Sequence, residues 1–203
     1  MSVRPKESID ETRERIAIAA EELFRRLGFA KTAVADIAAE LDMSPANIYR
    51  FFSSKNAIVE TICDRSLAEV EAQVAAVARA PLSAPERIEQ VFITILRYHR
   101  DNFLVERRVH DMVLVAIEHN WSAIEAHKER IRRYLAALLR EGIADGTFQP
   151  HDCDQVSAML LGCCVRFCHP ILVAQCIDED LEGQARDTVR FMLRAIEVNR
   201  RPL

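Results

Sequence analysis

The chain has 203 residues, half of them hydrophobic, with 27 basic and 31 acidic side chains and a formal net charge of −4. That length supports one large domain, or a small one joined to a larger one, and no apolar run of about 18 residues exists to span a bilayer. The acidic balance argues against a generally basic nucleic-acid coat, but it is uneven: residues 1–56 hold nine Lys/Arg and nine Asp/Glu, so residues 57–203 carry the whole deficit. The opening MSVRPKESIDETRERI lacks the apolar core of a secretion signal, so a cytoplasmic location is expected. The six cysteines are then expected to be reduced, mostly buried thiols. Glycines and prolines are few, and apolar positions recur at three and four, so the fold class is all-α with about nine helices.

The predicted helices span 8–27, 34–41, 45–51, 55–79, 84–101, 103–118, 121–145, 153–175 and 180–200. In the first, Ile16, Ala19/Ala20, Leu23/Phe24 and Leu27 form an amphipathic stripe, and Gly28 stops it. Thr32, Ser44, Ser54 and Asp152 are the expected N-caps.

The next two helices carry the function. Val34, Ile37, Ala38 and Leu41 make one apolar face, Asp42–Met43–Ser44 make a turn, and Ile48 and Phe52 make the buried side of a second short helix. Ala38 is small where two helices must cross. Such a helix–turn–helix presents the outer face of its second helix, Pro45, Ala46, Asn47 and Arg50, in a shape that fits the major groove of B-DNA. Residues 32–59 closely resemble the motif of the TetR family of transcriptional regulators. The resemblance rests on Asp36-Ile37-Ala38, Ser44, Ile48-Tyr49, Phe52 and Lys55, with Leu23-Phe24 and Gly28-Phe29 before them.

The resemblance implies a DNA-binding domain over residues 1–56 and an effector-binding and dimerisation domain over 57–203. It implies that Tyr49 and Lys55 contact phosphates, with Thr32 and Ser44 beside them. Asn47 is expected to read adenine, Pro45 and Ala46 to pack on thymine methyls, and Arg50 to reach guanine or a phosphate. The sequence departs from the family pattern in places. Ala33 stands where Thr or Ser is frequent, so the cap of that helix depends on Thr32. Asp42 holds the turn position usually given to Gly, and Asp tolerates left-handed backbone better than most residues. Ala35 and Phe51 each remove a frequent DNA contact.

Beyond the motif, ARAPLSAPE breaks the fourth helix from the fifth, and ADGTFQPHD the seventh from the eighth. The middle helices are expected to enclose an effector pocket, with His99, Phe103, His110, Met112, Trp121, Tyr134 and Phe167 as candidate lining, although taken singly each suits plain core packing better. Leu160, Phe167, Leu193 and Ile196 lie on broad apolar faces of the last two helices and are the expected homodimer contacts. A dimer matches a palindromic double-stranded operator with half-sites one turn apart.

Cys163, Cys164, Cys168 and His169 admit a metal or redox reading, but one helix face joins too few of these sulfurs, so buried thiols are expected and no metal or cofactor. His110-Asp111 lacks the further ligands of a metal-dependent phosphohydrolase, and no nucleophile elbow, phosphate loop or HExxH motif occurs. The expected protein is therefore a regulator and not an enzyme. Its expected sign is repression relieved by a small-molecule effector.

Overall fold

The computed structural model describes residues 8–103, 114–115, 117–119 and 121–198, with backbone alone at Phe103 and Trp121. These residues divide into two compact units: one holds those up to Ser66 with 114–119, the other those of 67–103 and 122–198. Among the described residues ten helices have both ends described, 114–115 and 117–119 are also helical, and there is no strand; the sequence pattern predicts about nine helices.

In the first unit α1 runs Ile9–Leu27, α2 Val34–Glu40 and α3 Pro45–Tyr49, and α4 (Lys55–Ala78) begins there and continues into the second unit. Ser8 opens α1 with a reciprocal cap: its hydroxyl accepts from the Glu11 amide at 3.1 Å while the Glu11 carboxylate accepts from the Ser8 amide at 2.7 Å. Ile16, Ala20, Leu23 and Phe24 are buried, and Gly28 closes the helix at φ 95°, a conformation only glycine adopts without strain. Ile37 and Ala38 of α2, Ile48 of α3, Phe52, and Ile58, Val59 and Ile62 of α4 complete this small core.

The second unit is larger. It contains α5 (Ala84–Phe103), α6 (Trp121–Ala144), α7 (Cys153–Cys163), α8 (Val165–Cys168), α9 (Pro170–Gln175) and α10 (Leu181–Arg194). The long α5 lies centrally and packs on α8, α9 and α10. Val91, Phe92, Ile95 and Leu96 from α5 meet Ile131, Leu135, Leu138 and Leu139 from α6, with Leu160, Phe167, Val173, Val189 and Leu193. Glu89 on α5 is nearly buried and accepts from Arg186 at 2.6 Å and Arg190 at 2.7 Å on α10, an ion pair that fixes these helices in register. After α6 the chain folds back so that Phe148 lies on Gly142; a Cβ there would overlap the ring, so the contact needs glycine.

Two expectations about the last helices are corrected. The predicted helix 153–175 is three pieces, broken at Cys164 and at His169. Pro170 accounts for the second break, because its ring forces His169 out of the α region, to φ −98° and ψ 118°. The predicted 180–200 helix ends at Arg194. Beyond it the Ile196 carbonyl accepts from the Gln149 amide at 2.7 Å, and Val198 donates to Thr147 at 3.0 Å, bonds that compete with helix continuation. Residues 104–113 lie outside the described residues, and with them most of the predicted 103–118 helix.

Candidate nucleic-acid interface

With five residues, α3 is too short to hold itself together and depends on its surroundings. Ser44 caps it, accepting the Asn47 amide at 3.2 Å, and Pro45 supplies a fixed φ at the first helical position. The turn before it passes through Asp42 at φ 54°, the left-handed conformation expected there, and the Met43 amide then donates to Ala38 at 2.8 Å. Ile48 and Phe52 face inward and are buried. Ser44, Pro45, Ala46, Tyr49 and Arg50 consequently stand exposed, with Asn47 half-buried at their edge.

The N-cap of α2 is Ala33, not Thr32. Thr32 is 2% exposed and its hydroxyl donates to the Gly28 carbonyl at 2.9 Å, so it closes the loop after α1. The Ala33 amide is satisfied by the Asp36 carboxylate at 2.7 Å. Lys55, at the first position of α4, reaches the same loop. Its Nζ donates to the Phe29 carbonyl at 2.7 Å and the Thr32 carbonyl at 2.9 Å, and it lies 4.0 Å from the centroid of the Phe29 ring. Partial burial lowers its pKa from the ordinary lysine value. An ammonium has three donors, of which these two bonds use two.

Of the candidate effector residues, His99 and Phe167 are buried and Tyr134 half-buried in the second unit. His110 and Met112 lie outside the described residues, as do the side chains of Phe103 and Trp121. Burial first, and then the neighbouring His127 and His169, hold His99 neutral, with its pKa lowered to about 3. His127 is a residue the sequence reading missed. Its Nδ1 lies 2.8 Å from Glu71, which also accepts from Arg130 at 2.6 Å. The available signal was its place four residues before Ile131 on the buried stripe of α6. A surface groove of about 540 Å³, lined by Leu82, Pro85, Glu89, Arg186, Arg190 and Arg194 among others, touches none of His99, Tyr134 or Phe167.

The expected dimer residues need correction. Leu160, Phe167 and Leu193 are buried inside a single chain, so they have no surface to offer a partner; Ile196 is half-buried. The same helices instead expose Met159 of α7 and Phe191 of α10, at 56% and 77%. The thiols divide similarly: Cys163 is exposed, whereas burial pushes Cys164 up to about 12 and Cys168 well above the ordinary thiol value.

Comparison with known proteins covers both units. Residues 16–62 match the family described as bacterial regulatory proteins, tetR family, and residues 84–189 match the tetracyclin repressor-like C-terminal domain. No curated protein matches the chain. Among solved structures it is similar to a TetR-family transcriptional regulator from Pectobacterium atrosepticum, at 17% identity and a TM-score of 0.73, covering 98% of this chain and 100% of that one. It is also similar to a TetR/AcrR family regulator from Thermobifida fusca, at 25% identity and a TM-score of 0.65, covering 95% and 100%. A third, a TetR family transcriptional regulator from Thermus thermophilus, shares 25% identity with a TM-score of 0.61 over 89% and 97% of the chains.

Proposed function

The chain belongs to the tetR family of bacterial regulatory proteins, whose helix-turn-helix binds DNA to regulate transcription, and from that premise we propose a cytoplasmic, ligand-responsive repressor released from its operator by a small-molecule effector. Residues 1–56 are its DNA-binding domain and 57–203 its effector-binding and dimerisation domain. The observation that carries this reading is the exposed outer face of α3, held over the buried Ile48 and Phe52.

On that face Asn47 reads adenine through its amide, Pro45 and Ala46 pack on thymine methyls, and Arg50 takes guanine or a phosphate. Tyr49, Ser44 and the third donor of Lys55 hold phosphates, which sets register rather than sequence. The Ser44 hydroxyl accepts from its own helix, so its proton is available to a phosphate oxygen. Thr32 joins them only if its bond to Gly28 opens.

Two chains pair through the exposed Phe191 and Met159, with Ile196 at the margin, and set two α3 helices on half-sites of a palindromic operator. The effector enters the region of His99, Tyr134 and Phe167, extended by His127; Phe103, His110 and Trp121 belong to the same proposal. Because α4 belongs to both units, a ligand with different affinity for two settings of α4 would change the half-site separation and so operator binding. The reading assigns no catalysis.

Selection of duplexes from a random-sequence pool by the purified protein tests the reading. It predicts enrichment of a two-fold symmetric site, and a gel shift on that site that cellular metabolite fractions reverse. Failure to enrich any sequence would overturn it.

A further inference from the structure

The last carbonyls of any helix find no donor within that helix, and α3 is so short that this end is a large part of it. At Phe51, just past α3, the carbonyl receives a donor from 38 residues away: Nη1 of Arg13, on α1. The other nitrogen, Nη2, reaches Thr61 Oγ1 on α4 at 3.4 Å, 48 residues away, and the guanidinium carbon lies 4.2 Å from the centroid of the Phe52 ring. One half-buried side chain thus touches the end of α3, the aromatic anchor beneath it and the flanking helix α4. A planar guanidinium donates from two separate nitrogens in fixed directions while its flat face lies on the ring, whereas an ammonium donates from a single nitrogen and has no flat face to stack.

We infer that Arg13 is a positioning residue of the DNA-binding surface, setting the angle at which α3 stands out from α1 and α4 without itself contacting DNA. The inference rests on the DNA-binding reading above. A base-reading amide such as that of Asn47 works only within a narrow geometry, so the tilt of a five-residue helix controls whether it reaches its base edge. Phosphate contacts made by long, flexible cations tolerate such a tilt far better. Loss of Arg13 therefore weakens recognition of a chosen sequence more than general adhesion to DNA.

The test uses the full-length protein and the duplex it selects from a random pool. Arg13→Lys and Arg13→Ala are titrated on that duplex and on an unrelated one over a salt series, and their melting is followed by circular dichroism. Both variants should lose about tenfold in affinity on the selected duplex, the loss of one geometry-setting charged hydrogen bond, and clearly less on the unrelated one. The slope of log affinity against log salt should stay at the parent value, since no phosphate contact is removed. A slope reduced by about one would make Arg13 a phosphate ligand and overturn the inference. Parent-like affinity in Arg13→Lys would do the same, because charge alone would then suffice. Should the Arg13 variants fail to fold, Thr61→Val decides. It keeps Arg13 and removes one acceptor, so a smaller loss on the selected duplex at unchanged slope supports positioning, and parental affinity overturns it. A parent protein that enriches no duplex removes the DNA-binding reading and this inference together, a result distinct from failure in the variants alone.

Discussion

Phe191 and Leu193 are two residues apart on α10, yet one is 77% exposed and the other 2%. Replacing each with glutamate should give opposite outcomes. A phenylalanine side chain can bury about 200 Å², so roughly 150 Å² of Phe191 is left for a partner to cover. At about 25 cal/mol per Å² that area contributes up to about 4 kcal/mol per protomer, and twice that across a two-fold axis. Half of this total, about 4 kcal/mol, is some three decades in dimer dissociation constant, enough to carry a nanomolar dimer into the micromolar range. Phe191→Glu should therefore sediment as a monomer at low micromolar concentration. Its melting, read under conditions where the parent is also monomeric, should shift by no more than about 0.5 kcal/mol, as for an ordinary surface change. Leu193→Glu instead puts a carboxylate among Val189, Ala185 and Ile88 in the core. Truncating such a leucine costs about 2–5 kcal/mol, and an unpaired buried charge adds to that, so this variant should unfold the second unit. A Phe191→Glu protein that stays dimeric at submicromolar concentration would show that the interface lies elsewhere. A folded, monomeric Leu193→Glu protein would return the interface to the residues first expected from the sequence.

Lys55→Ala should flatten the salt slope of DNA binding by about one unit, and because it also frees the Phe29 and Thr32 carbonyls, it should lower the stability of the first unit by about 1–2 kcal/mol; an unchanged slope would refute the phosphate role. Asn47→Ala should weaken the selected duplex by about 1–3 kcal/mol and leave an unrelated duplex almost unaffected, and equal loss on both would mean that Asn47 positions rather than reads. The pH dependence follows from His99. Its folded pKa of about 3 lies below the ordinary 6.5, so between these values the unfolded chain binds a proton that the folded chain refuses. Stability from this group is full above about pH 6.5 and falls by up to about 1.4 kcal/mol per unit as pH drops toward 3, with His127 and His169 acting in the same direction. Denaturation midpoints at about pH 7.5 and about pH 5.5 should differ accordingly, and His99→Gln should remove part of the difference; equal midpoints in the parent would refute it.

The helix-turn-helix was legible because its signals are local. Ile37, Ala38, Ile48 and Phe52 fall on inner faces by spacing alone, and Asp42 marks the left-handed turn within a few residues of both helices. The second unit was less legible because an apolar stripe says that a face is covered, not by what. Leu160 and Leu193 read as interface by their stripes, yet both lie in the core cluster of one chain. The exposed Phe191 gave no periodic signal, since a single apolar residue off the stripe resembles scatter. Local propensity also misassigned the cap of α2. Thr32 is the better capping residue by type, but its hydroxyl is taken by the Gly28 carbonyl, and Asp36 reaches back to serve the Ala33 amide. Arg13 could not be found at all, because its partners lie 38 and 48 residues away.

The same long-range pairing explains why a segment of zero net charge can face DNA. Five acidic groups of the first unit are engaged internally. Glu14 and Glu21 accept from Arg65, and Glu21 also from Arg25; Glu40 pairs with Arg26. Glu11 caps α1 and Asp36 caps α2. These bonds hold α1, α2 and α4 together, whereas α3 and the turn after it carry no carboxylate from Ser44 to Lys55. On the proposed reading, a DNA phosphate approaching α3 would meet Tyr49, Arg50 and Lys55 on a stretch without a carboxylate, although the sum over residues 1–56 is zero. Net charge averages over the pairs that build the unit, and the field that a ligand meets is set by the groups left outside them.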